Sequence, residues 1–164
     1  LAVKNILLIG MPGSGKSSVA KIFAQKFSYN LIDTDDEIEK AVNKNISAIF
    51  NEYGEKYFRQ CEHNIIKKIA ANQKFIIALG GGCVTLKKNL PLIKNLGRVV
   101  YLFCRPNQIY KNLDYVRPLV KKNLSDIKFL YQKRYQIYLN CCDYVLNCNN
   151  LSLDLIAEKL FTVK

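Results

Sequence analysis

At 164 residues, 49% apolar and 23% charged, the chain has the balance of a soluble globular protein. It can bury about 70% of the surface it exposes when unfolded, so one domain over residues 1–164 is expected without disulfide staples. No run approaches the roughly 18 uninterrupted apolar residues of a membrane span, and residues 1–10 read as a short strand, so neither an anchor nor an export signal is expected. The net charge of +12 is carried by lysines scattered in pairs such as Lys67-Lys68, Lys87-Lys88 and Lys121-Lys122. That dispersion argues against nucleic acid or a membrane as partner and suits a polyanionic small molecule.

In chain order, the apolar residues 6–9 place a strand over 4–10, and a helical pattern follows over 16–27. Between them Gly10-Met11-Pro12-Gly13-Ser14-Gly15-Lys16-Ser17 forms a complete P-loop. Its glycines let consecutive amides turn toward an anion. Lys16 is then expected to reach the β- and γ-phosphates of a nucleotide, and the Ser17 hydroxyl to ligate Mg²⁺. The positive end of the helix faces the same phosphates.

A second strand over 31–33 ends at Asp33-Thr34-Asp35. Read as extended chain, this puts two carboxylates on one side at the edge that carries the P-loop. One is suited to a magnesium ion's water shell and the other to an acceptor hydroxyl. Helices are expected over 35–43, 46–53 and, after Gly54, 55–72. Arg59 and Glu62 lie three apart and share a face of the last of these, where alone they read as a surface ion pair. A third strand over 75–79 runs into Gly80-Gly81-Gly82, a triplet that exposes backbone amides at the same sheet edge.

A helix over 86–95, a strand over 98–103 and a helix over 106–112 precede residues 113–124. This polar stretch holds Arg117-Pro118-Leu119, fits neither helical nor strand period, and has the length of a lid. A helix over 125–141 carries Arg134 and Tyr138, and a strand over 144–146 and a helix over 152–161 complete the chain. Strands alternating with helices mark an α/β fold with a doubly wound, five-stranded parallel sheet between helical layers. Six cysteines without a Cys-x-x-Cys pair, and the single histidine His63, leave no zinc spacing. The thiols are expected to be free, mostly as small core residues, in a reducing cytoplasm.

Taken together and in order, the P-loop, Asp33-Thr34-Asp35, Gly54-Glu55 with Phe58-Arg59 and Glu62, Gly80-Gly81-Gly82, Arg117-Pro118-Leu119, and Arg134 with Tyr138 and Asp143 resemble the shikimate kinase family over nearly the whole chain. The resemblance implies transfer of the γ-phosphoryl group of ATP to the 3-hydroxyl of shikimate in aromatic amino-acid biosynthesis. It implies the strand order 2-3-1-4-5, a lid over about 113–124, and a substrate-binding subdomain of helices over about 34–62. By the same resemblance Gly13, Ser14, Gly15, Lys16, Ser17, Ser18 and Arg117 bind ATP, and Ser17 and Asp33 serve Mg²⁺. Asp35, Arg59, Gly80, Gly81, Gly82 and Arg134 hold shikimate, while Lys16, Asp35 and Arg117 carry the catalysis.

The chain departs from the family where many members have an adenine-packing arginine, offering Tyr110, Lys111 and Asn112 instead. Another adenine-side residue falls around Asn149 or Asn150. A cytoplasmic monomer acting on small molecules is the expectation. A gluconate or nucleoside monophosphate kinase, or a nucleotide-binding module without catalysis, stands as the alternative.

Overall fold

Five short apolar runs pair as strands: β1 (Asn5–Ile9), β2 (Asn30–Asp33), β3 (Phe75–Ala78), β4 (Gly97–Phe103) and β5 (Tyr144–Asn147). In the computed structural model, which describes residues 5–69, 71, 73–113 and 123–162, all pairings are parallel and the order is β2-β3-β1-β4-β5. This is the order the family resemblance implies. Every residue of central β1 is buried, which is why it reads as an unbroken apolar run rather than an alternating one. Leu7 pairs with Ile77 on one side and Val99 on the other. Asn5 is buried at the start of β1, and its side-chain oxygen accepts from the amides of Gln73 and Phe75 at 3.0 and 3.1 Å, tying the entry of β3 to the sheet centre.

Helices α1 (Lys16–Phe27), α2 (Thr34–Val42), α3 (Ile46–Lys68), α4 (Leu90–Leu96), α5 (Pro106–Asn112), α6 (Leu124–Cys141) and α7 (Leu153–Thr162) flank the sheet. Phe23 and Phe27 of α1 meet Phe161 of α7, the Phe27 and Phe161 rings stacking at 4.1 Å. Tyr138 of α6 stacks on Tyr101 of β4 at 5.0 Å. A second, smaller apolar cluster of Ile38, Ile49 and Phe58 joins α2 to α3 apart from the main core.

Two helix expectations need correction. The helix expected over 55–72 stops at Lys68, and it joins the preceding segment within α3 through a break at Gly54, whose φ of 77° and ψ of 174° are not helical. The helix expected over 86–95 is instead two 3₁₀ turns, Cys83–Thr85 and Lys87–Asn89, followed by α4. Buried Asn89 explains the difference. Its amide donates to the Cys83 carbonyl at 2.8 Å and its side-chain oxygen lies 2.7 Å from His63 Nδ1, fixing a tight turn where helical periodicity alone would run on.

The Gly54 conformation is one that residues with a Cβ reach only at a cost of about 1–3 kcal/mol. Space is not the obstacle, since nothing lies within 4 Å of a Cβ built there. Gly54→Ala is therefore expected to lower unfolding stability by about 1–3 kcal/mol, measured by equilibrium urea denaturation.

Candidate active site

The P-loop leaves β1 at the carboxyl edge of the sheet and turns into α1 through left-handed Gly13 and Gly15, with the Ser14 amide donating to the Met11 carbonyl at 3.1 Å. The first turn of α1 has neither an acidic residue nor a side-chain cap, so its amides remain available to an anion. Lys16 is buried and lies along its own loop, donating to the Gly10 and Met11 carbonyls at 3.0 and 2.9 Å. The loop borders a cleft of about 610 Å³ whose walls include Gly13, Ser14, Gly15, Lys16, Ser17 and Ser18. Asp33, Asp35 and Gly81 line the same cleft.

Asp33 and Asp35 come to the cleft by a different geometry from the extended one expected. The strand ends at Asp33, which caps α2 by accepting from the Asp35 amide at 3.0 Å, and Asp35 sits in the first helical turn. A short Asx cap gives that helix its start, and the cap's chemistry overrides strand alternation. Between them, buried Thr34 accepts from the Gly80 amide at 2.9 Å and donates to the Ala78 carbonyl at 3.3 Å, locking the glycine turn to α2.

Gly80 is wedged between carboxylates: a Cβ there would lie 2.6 Å from Glu62 Oε1 and 2.7 Å from Asp35 Oδ1, while one on Gly82 would collide with the Arg59 guanidinium. Arg59 and Glu62 are thus no surface pair. Glu62 is 0% exposed and accepts from Arg59 Nη1 at 2.6 Å and from the Cys83 thiol at 3.1 Å. Arg59 also donates to Glu55 at 2.8 Å. Burial pulls Arg59 down, but Glu62 and Glu55 outweigh it and hold the guanidinium above its ordinary value. Burial, reinforced by Glu62, pushes the Cys83 thiol well up, so it stays protonated and donates.

On the opposite side of the glycine turn, the Gly81 carbonyl accepts from Arg134 Nη1 at 3.2 Å and from the Tyr138 hydroxyl at 2.6 Å. Arg134 is buried at 6% exposure. Burial pushes Tyr138 up to about 12, which keeps its hydroxyl a donor.

The structure therefore gathers Asp35, Arg59, Gly80, Gly81, Gly82 and Arg134 around one turn beside the P-loop. Arg117 and residues 114–122 of the expected lid lie outside the described residues. Beyond the P-loop, Lys111 and Asn112 line the cleft together with Gln108, Cys104, Cys148 and Leu153, whereas Tyr110 is not among the lining residues. The Asn149 side chain is engaged by the Arg105 amide and Asn147, and it too is absent from the lining. The cysteines were expected as small core residues, and Cys83, Cys104 and Cys148 are buried; that Cys83 and Thr34 hydrogen-bond around the glycine turn, and that Cys104 and Cys148 wall the cleft, was not foreseen. Glu62 was visible as a partner of Arg59, but not as a sealed carboxylate.

A family model described as Shikimate kinase matches residues 12–163. The chain belongs to the shikimate kinase family. The shikimate kinase of Caldicellulosiruptor saccharolyticus is 38% identical over 98% of this chain and 95% of its own length, and that of Clostridium botulinum strain Okra is 40% identical over 90% and 89%. The shikimate kinase from Acinetobacter baumannii, solved in complex with shikimate, superposes with a TM-score of 0.93 at 27% identity, covering 98% of this chain and 92% of that one. Membership makes the chain a kinase phosphotransferase built on the fold described above.

Removing the sealed carboxylate of this family member leaves a guanidinium that is only 12% exposed with the exposed Glu55 as its remaining carboxylate. Glu62→Ala is expected to lose about 3–5 kcal/mol, as breaking a buried pair does. Glu55, 54% exposed in its side chain, is expected to cost only about 0–1 kcal/mol as Glu55→Ala. Guanidinium chloride unfolding of the two variants measures the difference.

Proposed function

We propose that this chain transfers the γ-phosphoryl group of ATP to the 3-hydroxyl of shikimate, releasing shikimate 3-phosphate. The observation that carries the reading is the convergence of an amide-lined P-loop with the Asp35 carboxylate and two arginines around a single glycine turn. Such a set fits an anionic ring alcohol: guanidinium groups grip its carboxylate and Asp35 faces its hydroxyls. Arg59 has five N–H groups, and its bonds to Glu62 and Glu55 engage three of them. Those pairs hold the fork rigid while part of it remains to meet an acceptor. Arg134, braced on the Gly81 carbonyl, supplies the second grip, and the glycine-turn amides line the acceptor's path.

At the other end, amides of the P-loop and the start of α1 receive the phosphates. Lys16 leaves the Gly10 and Met11 carbonyls to meet them, and Arg117 closes over the transferred group. Ser17, exposed at the head of α1, and Asp33, in the wall of the same cleft, are hard oxygen donors. They would hold Mg²⁺, which when bound would offset phosphate charge. Asp33 keeps one oxygen on the Asp35 amide, so its other oxygen would serve the ion. Little covalent chemistry falls to the protein in phosphoryl transfer, and positioning with charge stabilisation carries the rate. Asp35 orients the acceptor hydroxyl and takes its proton late in the transfer.

The separate apolar cluster of α2 and α3 supports treating helices over about 34–62 as an acceptor-binding subdomain. Residues 113–124 act as the lid, within one P-loop kinase domain over 1–164. A monomer working in the cytoplasm on ATP and shikimate, without nucleic acid or membrane as partner, completes the reading.

A coupled assay with ATP, Mg²⁺ and shikimate tests the whole reading, with gluconate and nucleoside monophosphates as competing acceptors; phosphorylation of one of those and not of shikimate would replace it. Asp35→Asn is expected to lose most of kcat while ATP binding, followed by calorimetry, persists. Arg59→Ala and Arg134→Ala are each expected to raise the shikimate KM about tenfold or more, the equivalent of about 1.4 kcal/mol. Unchanged KM values would remove those arginines from the acceptor site.

A further inference from the structure

Cys104 directly follows β4 and Cys148 directly follows β5, one residue beyond the last paired positions, Phe103 and Asn147. The Cys148 amide donates to the Phe103 carbonyl at 2.9 Å, carrying the parallel ladder up to the pair. Adjacent strands run about 4.8 Å apart, within the roughly 4.4–6.8 Å that a disulfide spans between Cα atoms. The two thiols are close enough to perturb each other's titration, and the Cys148 thiol also donates to the Leu146 carbonyl at 3.3 Å. Both residues are 3% exposed, yet both form part of the wall of the cleft that contains the P-loop. Cys104 also reaches the P-loop itself, its Sγ lying 3.8 Å from the Ser14 carbonyl oxygen.

We propose that Cys104 and Cys148 form a redox-active dithiol in the nucleotide cleft, which small disulfides oxidise to a cross-strand disulfide and which bound nucleotide shields. The shielding rests on the reading of the cleft as the ATP site; the disulfide does not. The Cys104 thiolate attacks one sulfur of a disulfide RSSR, forming a mixed disulfide and releasing RS⁻. The Cys148 sulfur then displaces the second RS⁻ as the protein S–S bond closes. The two protons lost by the cysteines pass to the two RS⁻ groups, so the dithiol is oxidised by two electrons and RSSR is reduced to two RSH. The order follows from the surroundings. The contact with Cys148, helped by the charge of Lys16, holds Cys104 below its ordinary value, whereas the same contact and burial push Cys148 up. The remaining cysteines are placed differently: none of the other four lines this cleft, and the Cys83 thiol donates a hydrogen bond to the Glu62 carboxylate.

Bis(2-hydroxyethyl) disulfide, small and uncharged, is the probe, applied to the full chain with Cys61 and Cys142 replaced by serine to remove the two less buried thiols. Mass mapping of an unreduced digest is expected to find one Cys104–Cys148 link, reversed by dithiothreitol. The link should be absent in Cys104→Ser and in Cys148→Ser, whose folding near-ultraviolet circular dichroism verifies. With Mg·ADP at ten times its Kd, the link should form about tenfold more slowly. No link in a chain that keeps its fold, or a link joining other cysteines, overturns the proposal. So does an equal rate with and without ADP when calorimetry shows that ADP binds. If ADP fails to bind the reduced chain while the link still forms, the nucleotide reading of the cleft falls and takes the shielding with it, leaving the disulfide standing.

Discussion

A carboxylate shut away from water is tolerated only where donors surround it, and Glu62 meets that condition beneath the glycine turn. Arg59 comes from one helical turn earlier on the same helix, and the Cys83 thiol comes from the far end of the turn itself. Satisfying this one anion therefore fixes α3 against the strand that precedes the turn, and it leaves the Arg59 fork in one orientation. The glycines follow from the same demand. With a Cβ, residue 80 would press on Glu62 and Asp35 and residue 82 on the guanidinium.

The opposite wall of the turn is held by neutral or cationic donors on α6. Arg134 and Tyr138 share the Gly81 carbonyl, and the Tyr138 ring is seated by its stacking on Tyr101 in β4. The turn is thus clamped from both sides by elements far apart in sequence. The P-loop, by contrast, is a local device: one strand, one loop and one helix start suffice to aim its amides, and its lysine is satisfied by carbonyls of the same loop. One side of the cleft depends on local backbone and the other on long-range side-chain pairing. The two sides meet where Gly81 abuts Pro12.

The parts legible in the sequence are those whose cause is local or periodic. Five apolar runs separated by helical stretches announced the parallel sheet, and the glycine at 54 announced a break that the backbone does make. Motif spacing marked the P-loop, and the co-occurrence of short motifs marked the arginines and aspartates around the turn. What failed did so through single side-chain contacts that apolar periodicity does not register. Asn89 converts a helical pattern into 3₁₀ turns by capturing the Cys83 carbonyl and meeting His63. Asp33 ends its strand by capping α2.

The sequence by itself determined the order of elements, the phosphate loop and the family to which the chain belongs, because each is written in spacing along the backbone, where sterics and hydrophobic period act at short range. Only the tertiary structure decided that Glu62 is sealed, that Gly81 is clamped from α6, and that Cys104 and Cys148 face each other across neighbouring strands. Burial and pairing are properties of residues brought together from separate parts of the chain, and charge, size and spacing along the chain do not reveal which of those residues will meet.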